Sequence, residues 1–381
     1  MKKDILTVLN QVLTKYDLPG EIEDVKQCTN GHINGTYRVT LVTPNGLKEH
    51  LIIQKINNYV FKKPETVMHN IQQVANHVAN RKSNSDCDII TFFDTKSGKN
   101  HTIIEGEYWR ICQFVKDSVT YDLVENSKVL YSAGFAFGRF QALLSDLPME
   151  KLHVTIPDFH NTRKRLADFF EIVVLDPLGR ATGVQEEIAF FEEHRTLATK
   201  LCDLEESHQV PQRVTHNDTK YNNILMHKET MEPLCVIDLD TVMPGLAMHD
   251  FGDAIRFAAN TAVEDETDLS KVGLNLEHYQ EFTKGFMAAC ENLTPNEIAT
   301  MALGAVTITI ELASRFLLDH ISGDKYFQIH RDNHNLDRAR CQIRLAEDMI
   351  EKLDEMNRIV YESLPSKNTA YKEVALTKSN F

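Results

Sequence analysis

Tryptophan is nearly absent from this sequence, with Trp109 alone among 381 residues. A site for a quaternary amine is built as an aromatic cage, and the composition gives no positive sign of one. Cysteine is sparse, with seven residues, scattered, odd in number and without a Cys-x-x-Cys pair. That usage describes reduced thiols in a cytosolic protein, and Cys112 and Cys235 sit in apolar runs as core residues. Basic residues are in deficit: the net charge of −14 argues against a nucleic-acid or anionic-membrane surface. No window approaches the apolar length of a membrane span, and Met1-Lys2-Lys3-Asp4 leads into a mixed polar helix without an apolar signal core. Internal repeats and low-complexity tracts are missing too. What is present, 42% hydrophobic and 25% charged residues, is ordinary for a globular chain long enough for two or three domains. The expectation is a soluble cytoplasmic protein with neither nucleic acid nor membrane as partner.

Periodicity then divides the chain. Residues 4–16 read as a helix with Ile5, Leu6, Val8, Leu9, Val12 and Leu13 on its apolar side. Strand formers come next over 25–29, 36–42 and 50–56, with Asn45-Gly46 as the turn between the last two. Pro64 opens a helix to about residue 80 that carries Val67, Met68, Ile71, Val74 and Val78 at helical spacing. Two more strands are predicted at 88–94 and 107–115, around Ser97-Gly98. Beyond residue 120 the pattern is helical except for a hairpin at 224–238, and Ile343 to Val360 forms a late amphipathic helix. The predicted class is α+β with two lobes. A small antiparallel sheet with one helix fills 1–116, a larger, mainly helical lobe fills 117–365, and 366–381 is a flexible tail.

The chemistry is concentrated in Val214-Thr215-His216-Asn217-Asp218-Thr219-Lys220-Tyr221-Asn222-Asn223 and Leu234-Cys235-Val236-Ile237-Asp238. Ile224 to Met226 and Leu234 to Ile237 read as paired strands, which brings Asn223 and Asp238 together with Asp218 on the loop before them. One carboxylate to orient a hydroxyl and two hard oxygen ligands for a metal are what phosphoryl transfer from magnesium–ATP needs. With that motif in the second lobe, the order of elements is that of a two-lobed, protein-kinase-like fold. Asp218 is the candidate base, Asn223 and Asp238 the magnesium ligands, and Lys220 the group placed to offset charge on the transferring phosphate.

Other residues fill out the site. His216 shapes the loop through hydrogen bonds; Asp240 either sits behind the metal or caps the next segment. Asp250-Phe251-Gly252 spells the metal-binding tripeptide of protein kinases but is preceded by no strand, so Asp250 reads as a helix N-cap bracing the catalytic loop. Gly31 and Gly35, in Gly31-His32-Ile33-Asn34-Gly35-Thr36, are placed to cover nucleotide phosphates with backbone N–H groups. Lys55 ends a strand like the phosphate-pairing lysine of a kinase, yet the helix after Glu65 offers it no acid, and an exposed strand-end lysine fits as well. Gln113 and Val115 occupy the position of an adenine-binding hinge. Arg315 lies in an apolar helical run, where it needs either an ion-pair partner or a ligand.

Taken together these segments resemble the aminoglycoside phosphotransferase superfamily, and within it the N-acetylhexosamine 1-kinases. The resemblance rests on Gly31 to Asn34, Val214 to Leu225, Val236 to Gly245, Asp250 to Phe257, Arg315-Phe316-Leu317 and Gly323 to Phe327. It implies Asp218 as general base and Asn223 with Asp238 as magnesium ligands. It also implies that Arg315 and Tyr326 hold a sugar, with His32 and Asn34 near the glycine-loop side. The position of Lys55 need not be lysine in that group. Asn217-Asp218-Thr219-Lys220 departs from the Gly-Asp-Leu-His of aminoglycoside kinases, which speaks against an antibiotic acceptor. The implied activity is ATP-dependent phosphorylation of the anomeric hydroxyl of N-acetylglucosamine or N-acetylgalactosamine. The alternatives are a kinase of choline, homoserine, a pentose or an aminoglycoside, and a non-catalytic nucleotide-binding protein. A protein kinase is disfavoured, because the Asp238–Asp250 interval is short and no Ala-Pro-Glu comes after it.

Overall fold

Strands β1 (Glu21–Cys28), β2 (Gly35–Val42), β3 (Lys48–Lys55), β4 (Thr102–Ile104) and β5 (Glu107–Gln113) form one antiparallel sheet in the order β1-β2-β3-β5-β4. The computed structural model describes residues 4–28, 34–81, 89–121 and 126–365. Alternation along the strands separates two cores. Val39, Leu41, Leu51, Ile53, Trp109 and Ile111 close on helix α1 (Ile5–Leu13), while Ile52 and Cys112 join a larger core with helix α2 (Pro64–Ala79). Proline in the first turn of α2 costs no hydrogen bond there, and Val67, Met68, Ile71 and Val74 are its buried stripe.

The strand predicted at 88–94 is not one; residue 88 lies outside the described residues, and the sheet's fifth strand is β4. From 89 onward the backbone divides its bonds between two partners. Phe93 N–H donates to Ile111 O at 2.8 Å and Ile90 N–H to Val236 O at 3.0 Å, so the segment staples the sheet to the second region.

That second region runs from strand β6 (Ser118–Val119) through helices α3 (Ser127–Leu143) and α4 (Thr162–Leu175) and the short α5 (Gln185–Glu193), α6 (Arg195–Ala198) and α7 (Lys200–Glu206). Strand β7 (Arg213–Thr215), the hairpin β8 (Ile224–His227) and β9 (Pro233–Val236), and strand β10 (Met243–Gly245) come next. The predicted hairpin pairs Ile224 with Val236. β6 extends it, and β10 pairs with β7; these pieces of two or three residues are too short for periodicity to signal. Helices α8 (Ala247–Ala258), α9 (Leu276–Ala289), α10 (Pro295–Ala299), α11 (Met301–Ser322), α12 (His334–Glu351) and α13 (Leu353–Glu362) complete it. The expected helix over 343–360 is thus the end of α12 and most of α13, broken at Lys352.

α11 corrects a second expectation. It is long and apolar enough to cross a membrane by length and composition, but 83% of that window is buried inside the protein. It is the core helix on which α4, α8 and α12 pack. α8 approaches it backbone to backbone: a Cβ on Gly304 would stand 2.2 Å from Met248 O, and one on Gly252 2.4 Å from Gly304 O. This close crossing fixes the position of α8, which supports the site.

Candidate active site

Pairing of β7 with β10, Thr215 opposite Met243, sets the loop after β7 beside the turn after β9. The two are then stitched together. Ile237 N–H donates to Asn223 O at 2.9 Å, Thr241 Oγ1 to His216 O at 2.7 Å, and Asn217 Nδ2 to Thr241 O at 2.9 Å. His216 is fully buried and bridges them, with Nε2 at 2.9 Å from Ile237 O and Nδ1 accepting the Asp218 N–H at 3.3 Å. It shapes the loop, as its sequence context suggested.

α8 grips this loop from behind. Asp250 lies inside the first turn of α8, with Leu246 at the cap position, so it is not an N-cap. Its two oxygens accept the backbone N–H groups of His216 (2.8 Å) and Asn217 (2.7 Å), and Gln141 Nε2 adds a third bond at 2.6 Å. The bracing half of the expectation therefore holds and the capping half does not. Asn217 adopts φ +64°, a conformation asparagine tolerates better than most residues. One turn on, Asp253 accepts the Thr219 N–H at 3.0 Å and pairs with Arg256 at 3.0 Å.

Asp218 is left partly open, its side chain 24% exposed. Asn223 Nδ2 donates to Oδ2 at 3.0 Å, and Lys220 Nζ stands 3.2 Å from Oδ1. Burial alone would push this carboxyl up; Lys220, His216 and Asn223 outweigh it and hold it below the usual carboxylate range. Asp218 in turn raises the Lys220 ammonium, whose Nζ lies 5.3 Å over the Phe257 ring. Asp218, Lys220 and Asn223 are thus one hydrogen-bonded unit.

Asp238 is different. It sits at φ +58°, half-buried, and among the described residues its carboxylate has neither a hydrogen-bond nor an ion-pair partner. Burial, then Asp240 and Asp218, push it up to about 7, against the pull of Arg110 and Lys220. A carboxylate crowded by like charge and lacking a counter-ion fits a divalent cation. Among the described residues no group of three or more His, Cys, Asp or Glu is placed to hold a metal. An Asp and an Asn oxygen suit magnesium, which takes few protein ligands and completes its shell with water and phosphate.

Asp240 lies within the turn Leu239–Thr241, whose cap position is Asp238, so it is not the cap; it stands beside Asp238, as the other expectation had it. Its Oδ1 meets Arg110 Nη1 at 2.5 Å and its Oδ2 accepts Asn34 Nδ2 at 2.7 Å, both partners coming from the small sheet region. Asn34 Oδ1 accepts the Asn57 N–H at 3.0 Å, so both ends of its amide are engaged.

Of the remaining small-region residues, Gly31 and His32 lie outside the described residues. Gly35 opens β2 opposite Lys55. Lys55 is 41% exposed and 3.2 Å from Glu107 on β5, the strand-end alternative rather than a lysine paired with α2. Gln113 ends β5, with Oε1 accepting Thr91 Oγ1 at 3.0 Å. The Val115 carbonyl accepts Ser118 Oγ at 2.7 Å.

Arg315 and Tyr326 come together on the far side. The Arg315 guanidinium lies 5.9 Å from the Tyr326 ring centre, 5.6 Å from Phe327 and 5.9 Å from Phe159, and among the described residues no carboxylate reaches it. Burial lowers its affinity for the proton, with Glu311 opposing. The link to the catalytic loop is His160, with Nδ1 3.0 Å from Glu311 Oε1 and Nε2 3.4 Å from Asn217 O. Burial would raise Glu311; His160, Arg315 and Thr162 instead hold it down at about 2. Asp319 fixes the loop of Tyr326 by accepting the N–H groups of Lys325, Tyr326 and Phe327, each at 2.9 Å.

Arg110, His160, Glu311, Asp253 and Asp319 were not singled out from the sequence. Arg110 had a signal, a charge inside the apolar strand Trp109-Arg110-Ile111-Cys112; the others sit in helices or loops with nothing local to mark them.

The sequence model of the phosphotransferase enzyme family (APH) matches residues 24–283. The chain belongs to that family. This phosphotransferase is similar in structure to a microcompartment-associated aminopropanol kinase, at 15% identity and TM-score 0.59, over 93% of this chain and 99% of the other. Choline kinase from Cryptosporidium parvum Iowa II matches at 14% identity and TM-score 0.58, over 93% and 98%. An amicoumacin kinase in complex with AMP-PNP and Ca2+ matches at 13% identity and TM-score 0.56, over 92% and 94%. At such identities the likeness concerns the fold. The APH phosphotransferase has the α+β kinase-like architecture, with the matched segment containing the Asp218, Asn223 and Asp238 loops and ending before Arg315.

Proposed function

We propose that this phosphotransferase is an ATP- and magnesium-dependent kinase that converts N-acetylglucosamine or N-acetylgalactosamine to the sugar 1-phosphate in the cytoplasm. The observation that carries the reading is the Asp218 carboxylate, partly open and ionised, with Asn223 and Lys220 holding its two oxygens. Such a group orients an acceptor hydroxyl and accepts its proton as the new O–P bond forms and the bond from phosphorus to the ADP oxygen breaks. The anomeric hydroxyl is more acidic than other sugar hydroxyls, so orientation is the larger part of the contribution. Lys220 offsets negative charge on the transferring group. Asn223 and Asp238 are the residues to hold magnesium, which when bound compensates the charge of the phosphates.

In this reading residues 1–116 handle the nucleotide, with Gly31 and Gly35 at its phosphates and the Gln113–Val115 backbone at adenine. Residues 117–365 handle the acceptor. Arg315 and Tyr326 form its floor, with His32 and Asn34 on the glycine-loop side. A guanidinium ringed by three aromatic rings without a carboxylate supports a neutral acceptor with amide and hydroxyl oxygens. The same positive charge disfavours choline, aminopropanol or an aminoglycoside.

Coupled ADP release should show turnover with both sugars, and Asp218→Asn should lower kcat by about 10²- to 10⁴-fold while leaving the sugar KM within a few-fold. An unchanged rate in Asp218→Asn rejects the base. Turnover of another alcohol with neither sugar reacting rejects the acceptor and leaves the base standing.

A further inference from the structure

Arg110 is a charged side chain 1% exposed inside β5. Its strand neighbours Trp109, Ile111 and Cys112 are apolar and buried. Among the described residues the guanidinium makes one polar contact within the sheet, Nε to Oε1 of its β3 pairing partner Gln54 at 2.9 Å, and turns Nη1 out of it, to Asp240 Oδ1 at 2.5 Å and Met68 Sδ at 3.6 Å. Gln54 is itself held by donating to Thr36 Oγ1 at 3.2 Å, and Phe92 lies 4.7 Å beneath the guanidinium. The arginine is therefore fixed on all sides by β2, β3 and the 89–94 segment, and points one nitrogen across to the turn after β9.

That turn is the one carrying Asp238. Asp238 has a left-handed backbone, a conformation disfavoured for a residue with a Cβ, and no side-chain bond of its own among the described residues. Something else must hold it. From the catalytic-loop side the turn is tied by His216 and Asn217 through Thr241; from the small region, among the described residues, α2 holds its far end, where Asn70 Nδ2 donates to Val242 O at 2.9 Å, and the sheet side holds it through Asp240, by Arg110 and Asn34. Since desolvating an ion pair offsets most of its attraction, the pair is weakly explained as a source of stability. It is well explained as a device for registering two elements against each other.

We propose that Arg110 is a positioning residue for the divalent-cation site: by gripping Asp240 it sets the Asp238 turn relative to the small sheet. The proposal rests on the reading of Asp238 as a cation ligand. Arg110 itself touches neither cation nor substrate. Its loss is felt in cation affinity and in kcat, while the acceptor floor on α11 and the Tyr326 loop stays as it was and Asn34 keeps its bond to Asp240.

The test uses the full-length chain with Mn2+ as probe in the presence of ADP, reading free Mn2+ by electron paramagnetic resonance. Three variants suffice. Arg110→Met with Asp240→Leu replaces the pair by apolar side chains and leaves no orphaned charge; Arg110→Lys keeps the charge and loses the planar fork; Asp238→Asn is the control. The double variant should bind Mn2+ about tenfold to a hundredfold more weakly, as for groups that orient metal ligands; the sugar KM is read in Arg110→Lys, which keeps Asp240 for Asn34, and should stay within about twofold. In Mn2+ affinity Arg110→Lys should fall between the double variant and the native protein. Mn2+ affinity within about twofold of native in Arg110→Lys overturns the proposal, and this variant decides should the double variant not fold. Equal losses in Mn2+ affinity and sugar binding in Arg110→Lys also overturn it, since they describe a general structural role. Native Mn2+ binding by Asp238→Asn instead rejects the ligand reading beneath it, a result distinguishable from failure at Arg110.

Discussion

Asp238 carries the unbalanced charge of the site, and its titration gives a signed prediction. Burial with Asp240 and Asp218 nearby raises its carboxyl to about 7, from about 3.9 for an unfolded chain. Between those values the folded protein binds a proton that the unfolded chain has released. The stabilisation is complete below about pH 4 and is lost as pH rises through about 7. A cation that binds the ionised carboxylate restores stability at the upper end, whereas at lower pH it must first displace the proton. Magnesium with ADP should thus raise Tm more at about pH 8 than at about pH 5.5, and Asp238→Asn should abolish the difference. Equal increments at both pH values in the native protein would contradict this. Asp250 gives a second residue-scale prediction. Asparagine there turns one acceptor toward two backbone donors and Gln141 into a donor. Urea unfolding should show a loss of about 1–3 kcal/mol, with kcat reduced because His216 and Asn217 lose their anchor. Asp218, Asn223 and Asp238 were legible in the sequence because their spacing around a hairpin is local. The Arg110–Asp240 pair was not, because its partners meet only through the contact of β5 with a distant turn.

At the scale of elements, the crossing of α8 and α11 transmits packing to chemistry. Gly252 and Gly304 let the two backbones touch, and α8 delivers Asp250 and Asp253 to the catalytic loop. Gly304→Ala puts a methyl 2.2 Å from Met248 O, which forces the helices apart. It should cost about 1–3 kcal/mol or more by thermal or urea unfolding, and lower kcat together with stability. Gly183→Ala, with open space around its Cβ, should change stability by no more than about 0.5 kcal/mol. A Gly304→Ala protein of native stability and rate would rule out α8 packing as the support of the catalytic loop. The long elements were readable: Pro64 begins α2, and Asn45-Gly46 joins β2 to β3. β4, β6, β7 and β10 escaped because two or three residues carry no period. The 88–94 stretch misled for another reason, since strand-forming composition does not say whether one ladder or two halves of the molecule will take its hydrogen bonds.

Across the whole molecule, the change from a period of two to helical periodicity near residue 120 was enough to give the α+β architecture. α11 shows the limit of composition, since a helix apolar enough for a membrane is here the pillar of the larger region. The reach of the family match is also informative. It covers residues 24–283, whereas Arg315 and Tyr326 stand on α11 and the loop after it, so the acceptor is argued from chemistry outside the matched segment. The most direct test incubates the protein with ATP, magnesium and N-acetylglucosamine or N-acetylgalactosamine, and assigns the product by proton–phosphorus correlation NMR. The predicted result is phosphorus coupled to the anomeric proton, in a sugar 1-phosphate formed together with ADP. Phosphorus on any other carbon, or no sugar phosphate while another alcohol is consumed, would contradict it.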